Sequence, residues 1–383
     1  MNQEQETSSA GRVDFVRTGP GTLGGRYLRR WWQPVYLSRD LQPERAVPIK
    51  VLGERFTLYR GETGTAHLVA HACAHRLTQL STGWVEGDSI RCRYHGWRYE
   101  STGQCVEQPA EPTPFCQKIQ IASYPVEEDL GLVFAYLGEG TPPPFERWSE
   151  LLAPGNWRQS WATSEPIGCN YFQSAENIMD DVHVNFSHAG TFLANFTRKT
   201  LPRVTAVETN FGLTQLLDHP DRLDKIYFLM PNRCYLAHPL TNRLGASVGI
   251  AALFFYVPID DVTHLHTRVL FSMDGRRNES VPDSPVRDRI EDVLSGRKTL
   301  AEMNGHPQVV RIQDGAMICG QGEIADRSQE RLGRSDTALI LLRKLWTREL
   351  QLLHEGREIK SYSTPLPAEM LVSSLYDCPR SEL

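Results

Sequence analysis

Two short segments of this 383-residue chain each carry one cysteine and one histidine: His71-Ala72-Cys73-Ala74-His75-Arg76, and Ile90-Arg91-Cys92-Arg93-Tyr94-His95-Gly96-Trp97. Two thiolates and two neutral imidazoles make a four-ligand set, and as a bare count that set could hold tetrahedral zinc. Zinc fingers pair Cys with Cys and His with His, whereas each loop here repeats a mixed pair. The repetition suits a 2Fe-2S cluster, one iron on Cys73 and Cys92 and the other on His75 and His95. Replacing two thiolates by imidazoles makes such a cluster less negative and raises its reduction potential.

A second constellation lies in Glu176-Asn177-Ile178-Met179-Asp180-Asp181-Val182-His183-Val184-Asn185-Phe186-Ser187-His188. On a helix, Tyr171, Ala175, Ile178 and Val182 form an apolar stripe, with Glu176, Asn177, Asp180 and His183 opposite, which a plain solvated face would also explain. His183 and His188 are five apart and converge only if the helix ends or bulges; Gly190 supports an ending. Two imidazoles and one carboxylate form the facial set of non-haem Fe(II) oxygenases, so a third ligand must come from elsewhere. Asp180, three before His183, has the separation at which a carboxylate contacts that imidazole and fixes its tautomer.

With these motifs in view, Cys73-Ala-His75-Arg76 followed by Cys92-Arg-Tyr-His95-Gly-Trp97 resembles the Rieske domain of ring-hydroxylating oxygenases. Arg93, where that family usually has proline, and Leu77-Thr78-Gln79 depart from the pattern without touching a ligand. The stretch Val310-Arg311-Ile312-Gln313-Asp314-Gly315-Ala316-Met317, then Gln321, Asp326-Arg327-Ser328, Glu330 and Leu332-Gly333-Arg334-Ser335-Asp336, is similar to the signature of phthalate-type members. The resemblance implies Asp314 as the iron carboxylate and Asn177 as a neighbour of the iron. It also implies Asp180 as a link from His183 to a cluster histidine of the next subunit, hence a homotrimer with a His95 to Asp180 to His183 route. The implied function is that of a terminal oxygenase: one Rieske 2Fe-2S cluster, one mononuclear Fe(II), dioxygen, and NAD(P)H used through a separate flavin or iron-sulfur reductase or a ferredoxin. Aromatic carboxylates are the implied substrates, with ring dioxygenation first and monooxygenation or aryl-ether O-demethylation as alternatives. For an acid substrate, Arg198, Lys199 and Arg203 are candidate cations, though plain surface charge is the stronger reading of each; Asn232, Arg233 and His238 sit on a strand read as facing the pocket.

These residues need a scaffold, and the composition provides one. The chain is 40% hydrophobic and 23% charged, with a net charge of −5, which suits a globular protein of two domains and disfavours an electrostatic grip on nucleic acid or membrane. The polar start lacks a signal-peptide core, so the expected location is cytoplasmic, and eight cysteines there are not a disulfide framework. Cys105, Cys116, Cys169, Cys234, Cys319 and Cys378 lack ligand-spaced companions and read as plain small buried residues. Residues 1–26 read as a loose arm. Residues 27–145 alternate short apolar runs with turns, an all-β Rieske domain that Gly140-Thr141-Pro142-Pro143-Pro144-Phe145 closes. Residues 146–383 mix strands at Gly245–Pro258 and Thr263–Met273 with helices at Pro282–Leu294 and Asp336–Glu355, the latter capped by Ser335. The expected class is α+β, and the resemblance implies an antiparallel helix-grip sheet, Bet v1-like or START-like, in the second domain. No dinucleotide fingerprint precedes a strand-helix pair, consistent with a detached reductase. Two other classes compete: an electron-transfer protein with a binding-only second domain, and a zinc-stabilised interaction module.

Overall fold

The computed structural model describes residues 14–152, 158–189, 191, 201–220, 223–241, 247–272 and 286–362. It divides into two compact units. One holds Gly25–Phe145 with Gly19–Gly21; the other holds the chain from Glu146 together with Thr22–Gly24 and the segment up to Thr18.

Turn-forming residues at short intervals keep every strand of the first unit brief. A three-stranded sheet pairs β1 (Trp32–Leu37), β11 (Leu132–Tyr136) and β10 (Val126–Asp129). A second runs β2 (Ala46–Val51), β3 (Glu54–Arg60), β4 (Ala66–Ala70), β9 (Ser123–Tyr124). The third, β5 (Trp84–Glu86), β6 (Ser89–Arg91), β7 (Arg98–Tyr99), β8 (Cys105–Glu107), is a meander of successive antiparallel neighbours. Val69, Leu80, Ile90, Trp97, Tyr99 and Ile121 pack into a core that also takes in Cys73 and Cys92.

Longer alternating runs in the second unit build one seven-stranded antiparallel sheet, ordered β12 (Arg158–Ile167), β18 (His264–Ser272), β17 (Ser247–Pro258), β16 (Arg233–Thr241), β15 (Leu223–Leu229), β14 (Gly212–Asp218), β13 (Arg203–Glu208). After the short helices α1 (Leu23–Leu28) and α2 (Trp148–Leu152), helices α3 (Tyr171–Asn177), α4 (Val184–Ser187), α5 (Arg287–Leu294), α6 (Val309–Cys319) and α7 (Thr337–His354) accompany the sheet, so the class is α+β. Buried Leu339, Leu342, Trp346, Leu350 and Leu353 form the helical stripe by which α7 lies along β13 and β14. No helix among the described residues is long and apolar enough to cross a membrane.

Three expectations need correction. Asp14–Thr18 are not a loose arm: Asn170 Nδ2 donates to Val16 O at 2.8 Å, Tyr171 Oη to Phe15 O at 2.7 Å, and Thr18 N to Asp261 Oδ1 at 2.8 Å. Ser335 does not cap α7; a 3-10 turn, Arg334–Asp336, leads in, and Asp336 Oδ2 accepts the Gly333 N–H at 2.6 Å. The segment through His183 is not one helix, as the site makes clear.

Candidate functional site

The two Cys-His loops are built alike. In the first, between β4 and β5, Cys73 N donates to Thr78 O and Leu77 N to Cys73 O; in the second, between β6 and β7, Cys92 N donates to Trp97 O and Gly96 N to Cys92 O. Closing each loop needs a left-handed residue four after the cysteine, and Leu77 (φ 59°) and Gly96 (φ 76°) supply it. Leucine adopts that conformation with strain that glycine avoids, and it leaves its side chain 78% exposed at the loop tip. Arg91 secures the second loop, donating to Gly96 O at 2.8 Å while pairing with Glu86 at 2.6 Å and Glu107 at 2.8 Å. Its hydrogen bonds hold the Glu86 carboxyl down at about 2.

Within this frame the donors sort by type. Cys73 and Cys92 are buried and their thiols touch, and burial pushes the Cys92 thiol up. The His75 and His95 rings lie 4.4 Å apart, and His75 stacks on Trp97 at 4.6 Å. No three of the four donors come within 4.8 Å of one another, as ligands of one tetrahedral ion would. A thiol pair beside an imidazole pair instead fits two metal centres. Buried His75 Nδ1 has no hydrogen-bond partner, a donor atom left for a ligand role. Tyr99, which sequence reasoning did not single out, places its hydroxyl 3.1 Å from Cys73 Sγ and accepts Ala74 N at 3.2 Å. Arg93, in place of the family's proline, lies over the Trp84 ring at 5.3 Å.

In the second unit Asn170 starts α3, its Oδ1 accepting Phe172 N at 3.1 Å. All of Tyr171–Glu176 is buried, which rules out the alternative of a plain solvated face for Glu176. Glu176 is clamped by Arg327 and Arg343, each at 2.6 Å, and Arg343 also pairs with Glu330. The signature residues Arg327 and Glu330 thereby pin the helix end that carries Asn177, one directly and the other through Arg343. The helix then breaks, and a 3-10 turn, Asp181–His183, leads into α4, with His188 at its C-terminal cap. His183 closes the 3-10 turn and the one-turn α4 stops at Ser187, so the helix ends before His188, as the five-residue spacing required for the two histidines to converge.

His183 Nε2 lies 3.3 Å and His188 Nε2 3.2 Å from Asp314 Oδ1, and the three donor atoms are mutually within 4.8 Å. Each imidazole is oriented through its other nitrogen. His188 Nδ1–H donates to Gln313 Oε1 at 2.9 Å, and His183 Nδ1–H donates to the Asp180 backbone carbonyl. Asp180 therefore orients His183 through its backbone carbonyl rather than through the carboxylate contact expected from the spacing, and its side chain makes no cap hydrogen bond to the turn that follows. Burial raises the Asp180 carboxyl, with Asp336 adding to the rise. Asn177 Nδ2 donates to Asp314 Oδ1 at 3.3 Å. Burial opposes ionisation of Asp314, but the two histidines outweigh it and hold the carboxyl well below its usual range. Gly315, next to Asp314 on α6, faces Ile290 of α5 so closely that a methyl group would collide with Ile290 Cδ1. The donor set and the two fixed Nε2 lone pairs fit a mononuclear Fe(II) with open positions.

The other proposed cations separate. Arg203 is exposed at the start of the edge strand β13; Arg198 and Lys199 lie outside the described residues. Buried Asn232 donates to Tyr256 O at 2.8 Å and Arg233 to Met230 O at 3.1 Å, bonds that tie strand ends, and His238 pairs with Ile250 in the β16–β17 ladder. Of the lone cysteines, Cys105, Cys169 and Cys234 are buried, Cys116 and Cys319 partly so, and Cys378 is outside the described residues.

A β-domain with two Cys-His loops, followed by an antiparallel sheet whose helices gather two histidines and an aspartate, defines the class of two-centre iron oxygenases. The comparisons agree. Residues 31–125 match the Rieske [2Fe-2S] domain. Over 88% of this chain and 84% of the relative, the sequence is 30% identical to the phenoxybenzoate dioxygenase subunit alpha of Ectopseudomonas oleovorans. It is 29% identical to the 5,5'-dehydrodivanillate O-demethylase oxygenase subunit of Sphingobium sp. over 91% of this chain and 81% of that one. The fold is similar to dicamba monooxygenase (TM-score 0.64, 17% identity, 87% of this chain and 100% of that one). The chain belongs to the Rieske oxygenases, as an oxygenase subunit of that family.

Proposed function

We propose that this chain is the terminal component of a multicomponent system that uses dioxygen and reductase-supplied electrons to dioxygenate an aromatic carboxylate. The observation that carries this reading is the convergence of His183 Nε2, His188 Nε2 and Asp314 Oδ1 in a chain that also holds the paired Cys-His loops. An electron-transfer protein has no use for that second set. When bound, a cluster on Cys73, His75, Cys92 and His95 and an iron on His183, His188 and Asp314 supply the redox chemistry. The chain's own part is positional: Gln313 and the Asp180 carbonyl fix the two imidazoles, and Asn177 orients Asp314. Asp180 is the proposed link from His183 to His95 of a neighbouring subunit in a homotrimer. Cytoplasmic location and NAD(P)H as the distant electron source complete the reading. Solved complexes of a carbazole 1,9a-dioxygenase oxygenase with a ferredoxin support a separate electron donor.

The carboxylate reading draws support from relatives named for phenoxybenzoate, 3-chlorobenzoate and phthalate. O-demethylation is the second reading, favoured by the dehydrodivanillate relative. The test is product analysis under ¹⁸O₂ with NADH, a surrogate reductase and a panel of benzoates and methoxybenzoates. Two labelled oxygens in one product support dioxygenation, and loss of a methyl group supports demethylation. A cluster that is reduced and reoxidised with no product from any acid rejects the oxygenase reading.

A further inference from the structure

The face of the sheet that meets the site helices is fixed by three contacts. Glu165 of β12 pairs with Arg311 of α6, Ser174 of α3 lies 2.8 Å from His264 of β18, and Gln215 of β14 donates to Met179 O at 2.9 Å. Cross-strand partners share a face, so the ladders also place Thr163, Arg268 and Phe254 abreast there, one step from the row Glu165, His266, Tyr256. Asp314 stands three residues after Arg311 on α6 and so on the same side of that helix.

Polar atoms of this face lack partners. Thr163 Oγ1, Arg268 Nε and His266 Nε2 are buried with no hydrogen bond, where buried polar atoms are ordinarily satisfied. Burial lowers the Arg268 guanidinium to about 9, with Arg311 repelling it and Glu165 and Asp314 attracting it. Of these two anions, Glu165 is already engaged by Arg311, and Asp314 is committed to His183 and His188. Arg268 and Arg311 therefore have one available counter-ion, Glu165, between them. His266 cannot supply a charge, because burial and the adjacent Arg268 keep it neutral.

Resting on the function proposed above, we infer that Arg268 is the anchor for the substrate carboxylate, with Thr163 and His266 as the neighbouring polar contacts and Phe254 beside the ring. A guanidinium offers two parallel donors to a carboxylate, and fixing that end orients the aromatic ring relative to the iron ligands. Arg268 thus takes the place of Arg198, Lys199 and Arg203, and the sequence alone does not distinguish it among the basic side chains.

The test is calorimetric titration of the holoprotein with 3-methoxybenzoate and with its neutral amide, 3-methoxybenzamide, cluster absorbance and iron content serving as the folding control. Wild type is expected to prefer the acid, and R268Q to weaken acid binding at least tenfold, about 1.4 kcal/mol, with amide binding unchanged. R268K keeps the charge but loses the planar fork, so it weakens the acid several-fold, and it carries the test if R268Q does not fold. Equal binding of acid and amide by wild type, or unchanged acid binding in a folded variant, overturns the assignment. If the acid preference depends on Arg268 but no acid is oxidised, the oxygenase reading fails while the anchor stands.

Discussion

The two metal-type sites are assembled on opposite principles. The Cys-His loops are local: each bonds to itself within five residues, and a β-sheet core closes around both. The His183, His188 and Asp314 set joins two segments far apart in sequence, and its geometry depends on where α6 lies. Local loops carry their geometry in their spacing, whereas the second set inherits its geometry from packing. Damage to helix packing should therefore reach the second site and spare the first.

Gln313→Leu gives the largest separation. Without the amide oxygen, His188 loses the bond that orients its ring, and iron affinity falls about 10- to 100-fold. Iron content after dialysis, read beside the cluster's visible absorbance, checks this; parallel loss of both centres would erase the contrast. Gly315→Ala is the next step down. Its methyl meets Ile290, so that side chain or α6 must shift, at a cost of about 1–3 kcal/mol. Thermal unfolding should show the loss and iron titration a weaker site, while the cluster spectrum is unchanged. The smallest effect belongs to the local site. Tyr99→Phe removes a hydrogen bond to Cys73 Sγ, about 1 kcal/mol or on the order of 40 mV for one electron, and lowers the cluster potential. Redox titration measures it, and an unchanged potential would deny Tyr99 that role.

The same contrast explains what the sequence revealed. Cys73, His75, Cys92 and His95 were readable because their ligand spacing is intrinsic to each loop. The antiparallel strands β17 and β18 were readable from long apolar runs. The break between α3 and α4 was not, since Ile178 to His183 keeps a helical pattern while tertiary contacts, such as Gln215 to Met179 O, hold the chain in another path. A solvated position for Glu176 stayed open in the sequence because its partners Arg327 and Arg343 are distant in it. Gln313 was visible only as a neighbour of Asp314. Its role follows from helix geometry that places it against His188. Asp314 itself was legible only through the family resemblance, never through spacing.

The central claim is that the second site makes this chain an oxygenase rather than a carrier of electrons. His183→Ala tests it most directly, by iron content, cluster absorbance and product formation measured on one preparation with a surrogate reductase. The expected variant keeps a fully loaded cluster that is still reduced, loses the mononuclear iron, and forms no oxygenated product. A variant that keeps making product, or one that loses the cluster together with the iron, would contradict that claim.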